Sequence, residues 1–227
     1  MDMSPIIISM KTAALSILIT FFLGVLAARW VVSMKHERWK TIIDGLFTLP
    51  LVLPPTVAGF FLLYIFGVTR PIGKFFIDFF SWRIAFSWSA TVLAAVVISF
   101  PLMYRSARAA FEQVDTNVIY AARTLGISEN RIFWKIIMPL ARPGVAAGGV
   151  LAYARGLGEF GATAMIAGNI AGKTRTLPLA VYSKVAGNDM EGAYIYVAIL
   201  VAICFIVVIG MNYFSAKESK YQQRAEK

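Results

Sequence analysis

The chain alternates long apolar stretches with short polar ones. Four windows contain no Asp, Glu, Lys or Arg, namely 12–28, 45–69, 84–104 and 192–216. A fifth, 143–172, is interrupted only by Arg155 and Glu159. A bilayer core is crossed by about 20 apolar residues in a helix, and each window supplies roughly that number. The pattern predicts five transmembrane helices, near 10–32, 45–67, 86–104, 144–168 and 192–214.

Composition supports a membrane protein rather than a soluble one. Hydrophobic residues make up 59% of the chain and charged residues 15%. In soluble domains about a quarter of all residues are charged. The first apolar window is longer than the core of a secretory signal, and Met1 to Met10 contain no basic residue, so it reads as an uncleaved span. We expect an all-α integral membrane protein with one domain, residues 1–227.

The basic residues predict an orientation in the cytoplasmic (inner) membrane. With the N-terminus outside and the C-terminus inside, the inner segments hold thirteen Lys or Arg and the outer segments six. Cytoplasmic loops of membrane proteins carry such an excess. The net charge of +10 is therefore expected to face anionic lipid, and no nucleic-acid partner is predicted.

The longest polar segment, 105–143, predicts a helix-turn-helix on the inner side. Val114, Val118, Ala122 and Leu125 recur at helical spacing. Gly126 is a helix stop and Ser128 a good N-cap for a second helix, which Pro139 and Pro143 are expected to end before the fourth span. Such a knob suits contact with a soluble partner, and the same periodicity also fits helices lying on lipid.

Prolines interrupt the second predicted span. Pro50, Pro54 and Pro55 remove backbone donors, so the helix must kink or break at membrane depth. A break is tolerated where it faces protein or a watery cavity, which makes it either a translocation-pathway element or a packing kink. The loop after it, 67–85, alternates Gly and Pro with aromatic residues and predicts a short interfacial helix.

The fourth predicted span contains charged residues. Arg155 and Glu159 are four residues apart and share one helix face, so they are expected to form an ion pair. Charges within a membrane are costly and are normally paired or functional. Glycines at 156, 158 and 161 would let another backbone approach. The segment is either a hinge or pathway wall, or a structural ion pair that fixes packing.

Other chemistry finds little support in the sequence. Residues 167–174 match a relaxed phosphate-loop pattern, but a transmembrane helix precedes them instead of a strand, so we expect an extracytoplasmic turn or re-entrant loop. The sequence offers no paired metal ligands and no HExxH or GxSxG motif. We predict no catalytic residue, metal site or cofactor.

The polar loop resembles the cytoplasmic EAA loop of ABC-importer permeases. Tyr120 stands in place of the Glu of that motif and Met138 in place of its Leu. The matching positions are Ala121, Ala122, Gly126, Ile136 and Pro139. The resemblance implies that this loop, with Tyr120, couples the chain to a separate ATPase, and that the chain has no ATPase site of its own.

Three further stretches, 50–59, 158–163 and 168–180, resemble molybdate or tungstate permeases, with sulfate permeases as near relatives. The resemblance implies an importer built from a homodimer of this subunit, two copies of a cytoplasmic ATP-binding subunit and an extracytoplasmic oxyanion-binding protein. A sulfate or thiosulfate permease is the alternative, and an ATP-independent channel or an intramembrane enzyme is the alternative of another class. The expected pathway or hinge residues are Pro54, Pro55, Thr56, Arg155, Gly158, Glu159, Gly161 and Thr163.

Overall fold

The computed structural model describes the backbone of residues 2–225 and the side chains of residues 2–210, and every regular element in this part is helical. The helices are α1 (Ser4–Val32), α2 (Glu37–Val52), α3 (Pro55–Phe66), α4 (Pro71–Phe80), α5 (Trp88–Glu112), α6 (Thr116–Thr124), α7 (Glu129–Ile132), α8 (Met138–Leu157), α9 (Gly161–Ile166), α10 (Leu177–Ala186) and α11 (Met190–Ala225). A π-helical turn, Phe133–Ile137, joins α7 to α8.

Four helical stretches are long and apolar enough to cross a membrane, and a bent pair can supply a fifth crossing. The four are Ser4–Val32, Trp88–Glu112, Glu129–Leu157 and Met190–Gly210. The pair is α2 with α3, whose axes differ by 111°. Whether this pair crosses once or turns back decides the topology.

The direction of α1 relative to α5 answers that question. The hydroxyl oxygens of Thr12 and Thr91 are 2.8 Å apart, and those of Thr20 and Ser99 are 3.2 Å apart. Both pairs advance along the two helices in the same sense, so α1 and α5 run parallel. The chain must therefore return across the membrane once between them, and α2 with α3 are the helices available to do it.

Contacts along α5 agree with a single broken crossing. At one end of α5, Lys40 of α2 lies 3.2 Å from the carboxylate of Glu112. Toward the other end, Ala58 and Leu62 of α3 belong to the same buried cluster as Ala90. The two halves of the broken span thus cover opposite halves of α5. Counted as one broken crossing, the pair gives five crossings, the upper number that the apolar helices allow, and places Ser4 and Gly210 on opposite faces.

The fourth span differs from the prediction. The expectation that Pro139 and Pro143 end a separate helix before 144–168 is wrong, because one continuous helix runs through Glu129–Leu157. The π-helical turn directly before Pro139 relaxes the regular i−4 bonding pattern, which accommodates the missing donor. At the other end the helix stops at Leu157. The rest of the predicted span, up to residue 168, contains a separate helix, α9.

Other spans were predicted too short. Helix α1 begins at Ser4, because exposed Lys11 extends from the helix surface and does not end it. Helix α5 continues to Glu112, where Arg108 pairs with that residue at 3.0 Å across one helical turn. The expected helix within 67–85 is present as α4.

Small residues bring the central helices α1, α5 and α8 close together. A Cβ on Gly24 would lie 2.6 Å from Cγ of Met103, and one on Gly148 would lie 2.5 Å from Cβ of Ser106. Small residues at such positions let transmembrane backbones approach closely. These three helices form the packed centre. The broken span, α2 with α3, and the turn between α6 and α7, called the polar turn below, are attached to it.

Candidate functional site: the polar turn and the facing helix breaks

The first candidate site is the turn between α6 and α7. Gly126, the predicted helix stop, has a φ of 72°, in the left-handed region that glycine adopts without strain. Asp115 caps the start of α6 by accepting a hydrogen bond of 2.8 Å from the Asn117 backbone amide. Ser128 occupies the N-cap position of α7, as expected, although its side chain makes no capping bond. The local sequence therefore fixes where the chain reverses.

An ion pair closes this turn from both sides. Arg123, before Gly126, donates two hydrogen bonds to the carboxylate of Glu129, at 2.6 and 3.0 Å. The bond to Glu129 raises the pKa of Arg123 above its ordinary value, so the guanidinium stays charged. Forked contacts of this kind restrict geometry as well as adding attraction. The two arms of the turn are joined by side chains in addition to backbone.

The predicted coupling residues occupy different depths around the turn. Tyr120, Ala121 and Gly126 are exposed, Ala122 is buried, and Ile136 and Pro139 are half-buried. The spacing that grouped Leu125 and Val118 with buried residues is misleading, because Leu125 is 79% exposed and Val118 42%. Helix α6 ends at Thr124, so Leu125 leaves the helical face. Apolar side chains thus protrude from a polar segment.

The second candidate site is where the two helix breaks meet. A Cβ on Gly161, at the start of α9, would lie 3.0 Å from Cβ of Pro55 and 3.2 Å from the backbone nitrogen of Thr56. A Cβ on Gly59 would lie 2.6 Å from Cα of Ala162. The first turns of α3 and α9 therefore pack backbone against backbone. A larger residue at either glycine would push the two breaks apart.

Arg155 and Glu159 form the ion pair that their spacing suggested, with 2.7 Å between Nη1 and Oε2. The carboxylate also accepts a hydrogen bond of 2.8 Å from the backbone amide of Ala162. Glu159 is 2% exposed, and its second bond anchors the start of α9. The pair thus fixes the geometry of the break between α8 and α9.

All eight predicted pathway or hinge residues lie at or beside these two breaks. Pro54, Thr56 and Gly158 are exposed, Pro55 and Arg155 are half-buried, and Glu159, Gly161 and Thr163 are buried. Exposed residues at a helix break leave backbone polar groups that a neighbouring chain or water must satisfy.

The segment that mimics a phosphate loop is a turn between α9 and α10. Gly168 and Gly172 have φ values of 71° and 70°. The Thr174 hydroxyl accepts a hydrogen bond of 3.0 Å from the Ile170 amide, which holds the turn from within. A helix precedes it, where a nucleotide-binding loop would follow a strand.

Sequence reasoning missed the residues that tie the polar turn and α2 to the packed centre. Arg29 donates a hydrogen bond of 2.9 Å to Asn130 Oδ1. Asp44 accepts one of 2.8 Å from the Tyr104 hydroxyl and is ion-paired with Arg108. Of these contacts, sequence spacing could have predicted only the pair of Arg108 with Glu112, four residues later on the same helix. The other pairs join residues that are far apart in the chain.

Comparison with known proteins places the chain in a family. The model of the family "Binding-protein-dependent transport system inner membrane component" matches residues 20–220. The chain belongs to this family. It is thus an inner-membrane, multi-pass permease component, and the resemblance of the chain to ABC-importer permeases is confirmed.

Two relatives are similar to this chain over most of its length. It is similar to the molybdenum transport system permease protein ModB of Escherichia coli (strain K12), with 42% identity over 92% of this chain and 91% of the relative. It is also similar to a protein of Chlorokybus atmophyticus called "Probable sulfate transport system permease protein cysT", with 30% identity over 96% of this chain and 76% of the relative.

The fold matches a solved permease. The MetNI methionine ABC transporter, in an inward-facing conformation, contains a chain that superposes with a TM-score of 0.74 over 94% of each chain, at 14% identity. At that identity the likeness shows the fold, which is that of an ABC-importer transmembrane subunit.

Proposed function

We propose that the chain is the membrane-spanning subunit of an ATP-driven importer for molybdate or tungstate. The observation that carries this proposal is the 42% identity to a molybdenum permease along nearly the whole chain. The complex would contain two copies of this one-domain subunit, two copies of a cytoplasmic ATP-binding subunit and an extracytoplasmic oxyanion-binding protein. The N-terminus would lie outside and the C-terminus inside, as the Lys and Arg distribution favours.

The polar turn is the part suited to receive the ATPase. It protrudes on the same face as the C-terminal end of α1, it exposes Tyr120 and Leu125, and Arg123 with Glu129 hold its shape. On this proposal, Tyr120 and Leu125 would be covered by the ATP-binding subunit. ATP binding would close the ATPase subunits, carry both turns with them and rock the spans between inward-open and outward-open states.

The facing helix breaks are suited to line the passage. The hydroxyl of Thr56, exposed at the start of α3, could donate a hydrogen bond to an oxyanion and solvate it weakly, while Arg155 is held by Glu159. A passage must bind weakly, since a tightly held ion does not leave. On this proposal the soluble binding protein selects the anion.

The test is ATP hydrolysis by the reconstituted complex with binding protein and molybdate, tungstate or sulfate. We expect hydrolysis to rise with molybdate or tungstate. Stimulation by sulfate alone would support the second candidate, a sulfate permease, which the relative from Chlorokybus atmophyticus favours. Hydrolysis that no anion changes would contradict both.

A further inference from the structure

We propose that Arg29 is a positioning residue that fastens the polar turn to the first span, so that α1 moves when the turn moves. The inference rests on the proposed function, because it concerns how a conformational change of the ATP-binding subunits is transmitted to the transmembrane helices. It adds a residue that neither the loop motif nor the pathway residues include.

Arg29 holds the start of the Glu129–Leu157 helix through two different contacts. Its guanidinium carbon lies 4.5 Å from the centre of the Phe133 ring and 5.8 Å from that of Trp134. Its Nη2 atom donates a hydrogen bond of 2.9 Å to Asn130 Oδ1. Asn130 and Phe133 are three residues apart and so present one helix face. Arg29 therefore grips that face at two points.

The ring that Arg29 covers is itself held in place. Phe133 is 6% exposed and meets the ring of Phe111, on α5, edge to face with 5.2 Å between centres. The face of Phe133 thus receives the cation of α1, and another side of it contacts α5. A movement of Phe133 would have to displace either neighbour, which makes it a fixed attachment point.

A cavity separates the turn from α1 around this contact. It has a volume of about 230 Å³, and Arg29, Arg123, Glu129 and Phe133 are among the residues that line it. Because this space is open, the turn is not packed continuously onto the end of α1. The side chain of Arg29 crosses the gap and links the two directly, in addition to the apolar cluster that Val31 and Phe133 share.

The two contacts require arginine chemistry. A planar guanidinium can stack on an aromatic ring and donate a hydrogen bond in its own plane at the same time, which the ammonium of lysine cannot reproduce. A merely interfacial role, in which Arg29 contacts lipid phosphates at the span end, would be served by either cation. Lysine substitution therefore separates the two roles.

The experiment uses the full complex in vesicles and measures anion uptake and ATP hydrolysis in the same sample. In Arg29→Met we expect the anion moved per ATP to fall about fivefold or more, with the ATP-binding subunit still bound. Arg29→Lys should give an intermediate ratio. The matched control is Arg38→Met, which changes an exposed arginine of the same face and should leave the ratio unchanged.

Further variants protect the test from a folding defect. Asn130→Ala removes only the hydrogen bond, at an exposed amide, and should lower the same ratio to a smaller extent. Combining Arg29→Met with Phe133→Leu should cost less than the product of the two single effects, since the contact that the two residues share can be lost only once. Ratios that multiply, full rescue by lysine, or a wild-type ratio in Arg29→Met would overturn the proposal.

A second readout does not depend on transport. Hydrogen exchange of the amides in α7 should speed up in Arg29→Met and stay unchanged in Arg38→Met. Unchanged exchange in both variants would overturn the proposal that Arg29 holds the polar turn against α1. A wild-type complex without ATP-driven uptake would instead contradict the proposed function, so the two failures are distinguishable.

Discussion

At the scale of single residues, Gly126 is a position where a substitution would strain the backbone without causing a steric clash. A Cβ there would meet nothing within 4 Å, so a substitution adds no clash, and only its φ of 72° resists a side chain. The left-handed conformation costs an L-residue about 1–2 kcal/mol, and less for Asn. The contribution of Gly126 is therefore conformational.

We expect Gly126→Val to reduce both recovery of the ATP-binding subunit and anion uptake, because the turn that presents Tyr120 and Leu125 is strained. Gly126→Asn should retain most of both. Gly45→Val is the control, since that helical glycine also has open space around it but an ordinary φ. Co-purification and vesicle uptake measure the effects, and wild-type values in Gly126→Val would count against the role of the turn.

Glu159 combines a charge with a helix anchor, and two substitutions separate them. Glu159→Gln retains an acceptor for the Ala162 amide but loses the ion pair, whereas Glu159→Ala loses both. We expect Gln to destabilise the fold and Ala to destabilise it more, by about 1–3 kcal/mol for each buried group left unpaired. Thermal unfolding in detergent measures this. Equal stability of Glu159→Ala and wild type would refute the anchor.

At the scale of elements, a charged cluster attaches α2 to α5. Arg108 is ion-paired with Asp44 and with Glu112, and Glu112 also contacts Lys40 at 3.2 Å. The Tyr104 hydroxyl adds a hydrogen bond of 2.8 Å to Asp44. Because α3 leaves α2 at 111°, this cluster positions the half of the broken span that precedes the break.

Removing the central cation should loosen α2 selectively. We expect faster hydrogen exchange across Glu37–Val52 in Arg108→Met, since two carboxylates lose their shared partner. Arg105→Met is the control, an exposed arginine on the same helix that has no carboxylate within 4 Å among the side chains of residues 2–210. Similar exchange in Arg108→Met and wild type would show that apolar packing alone holds α2.

The elements that sequence could predict are those that local chemistry determines. Four charge-free windows and a fifth interrupted by one ion pair predicted the apolar spans, and Gly126 predicted the turn. The continuous helix through Pro139 and Pro143 was missed because a π-helical turn just before Pro139 accommodates the donor missing there, and the helix also continues through Pro143. Asp44 with Arg108 and Arg29 with Asn130 were missed because their partners are distant in sequence, and the contact of Gly161 with Pro55 depends on how two separate breaks fold together.

At the scale of the whole molecule, with α2 and α3 counted as one broken crossing, parallel α1 and α5 place the polar turn on the same side as Gly210. The orientation that we propose makes that side cytoplasmic. In a Cys204→Ser background, a thiol introduced by Asn117→Cys should react only with reagent inside the cell. One introduced by Asn188→Cys should react from outside. Both positions are exposed, and the opposite labelling pattern would invert the orientation.

The central claim is that this chain moves an oxyanion with energy delivered by a separate ATPase. Its most direct test is molybdate accumulation by vesicles that hold the complex, with ATP inside and binding protein outside. We predict accumulation against a gradient only when ATP, the ATP-binding subunit and the binding protein are all present. Molybdate equilibration without ATP or without the ATP-binding subunit would contradict the account and indicate a channel.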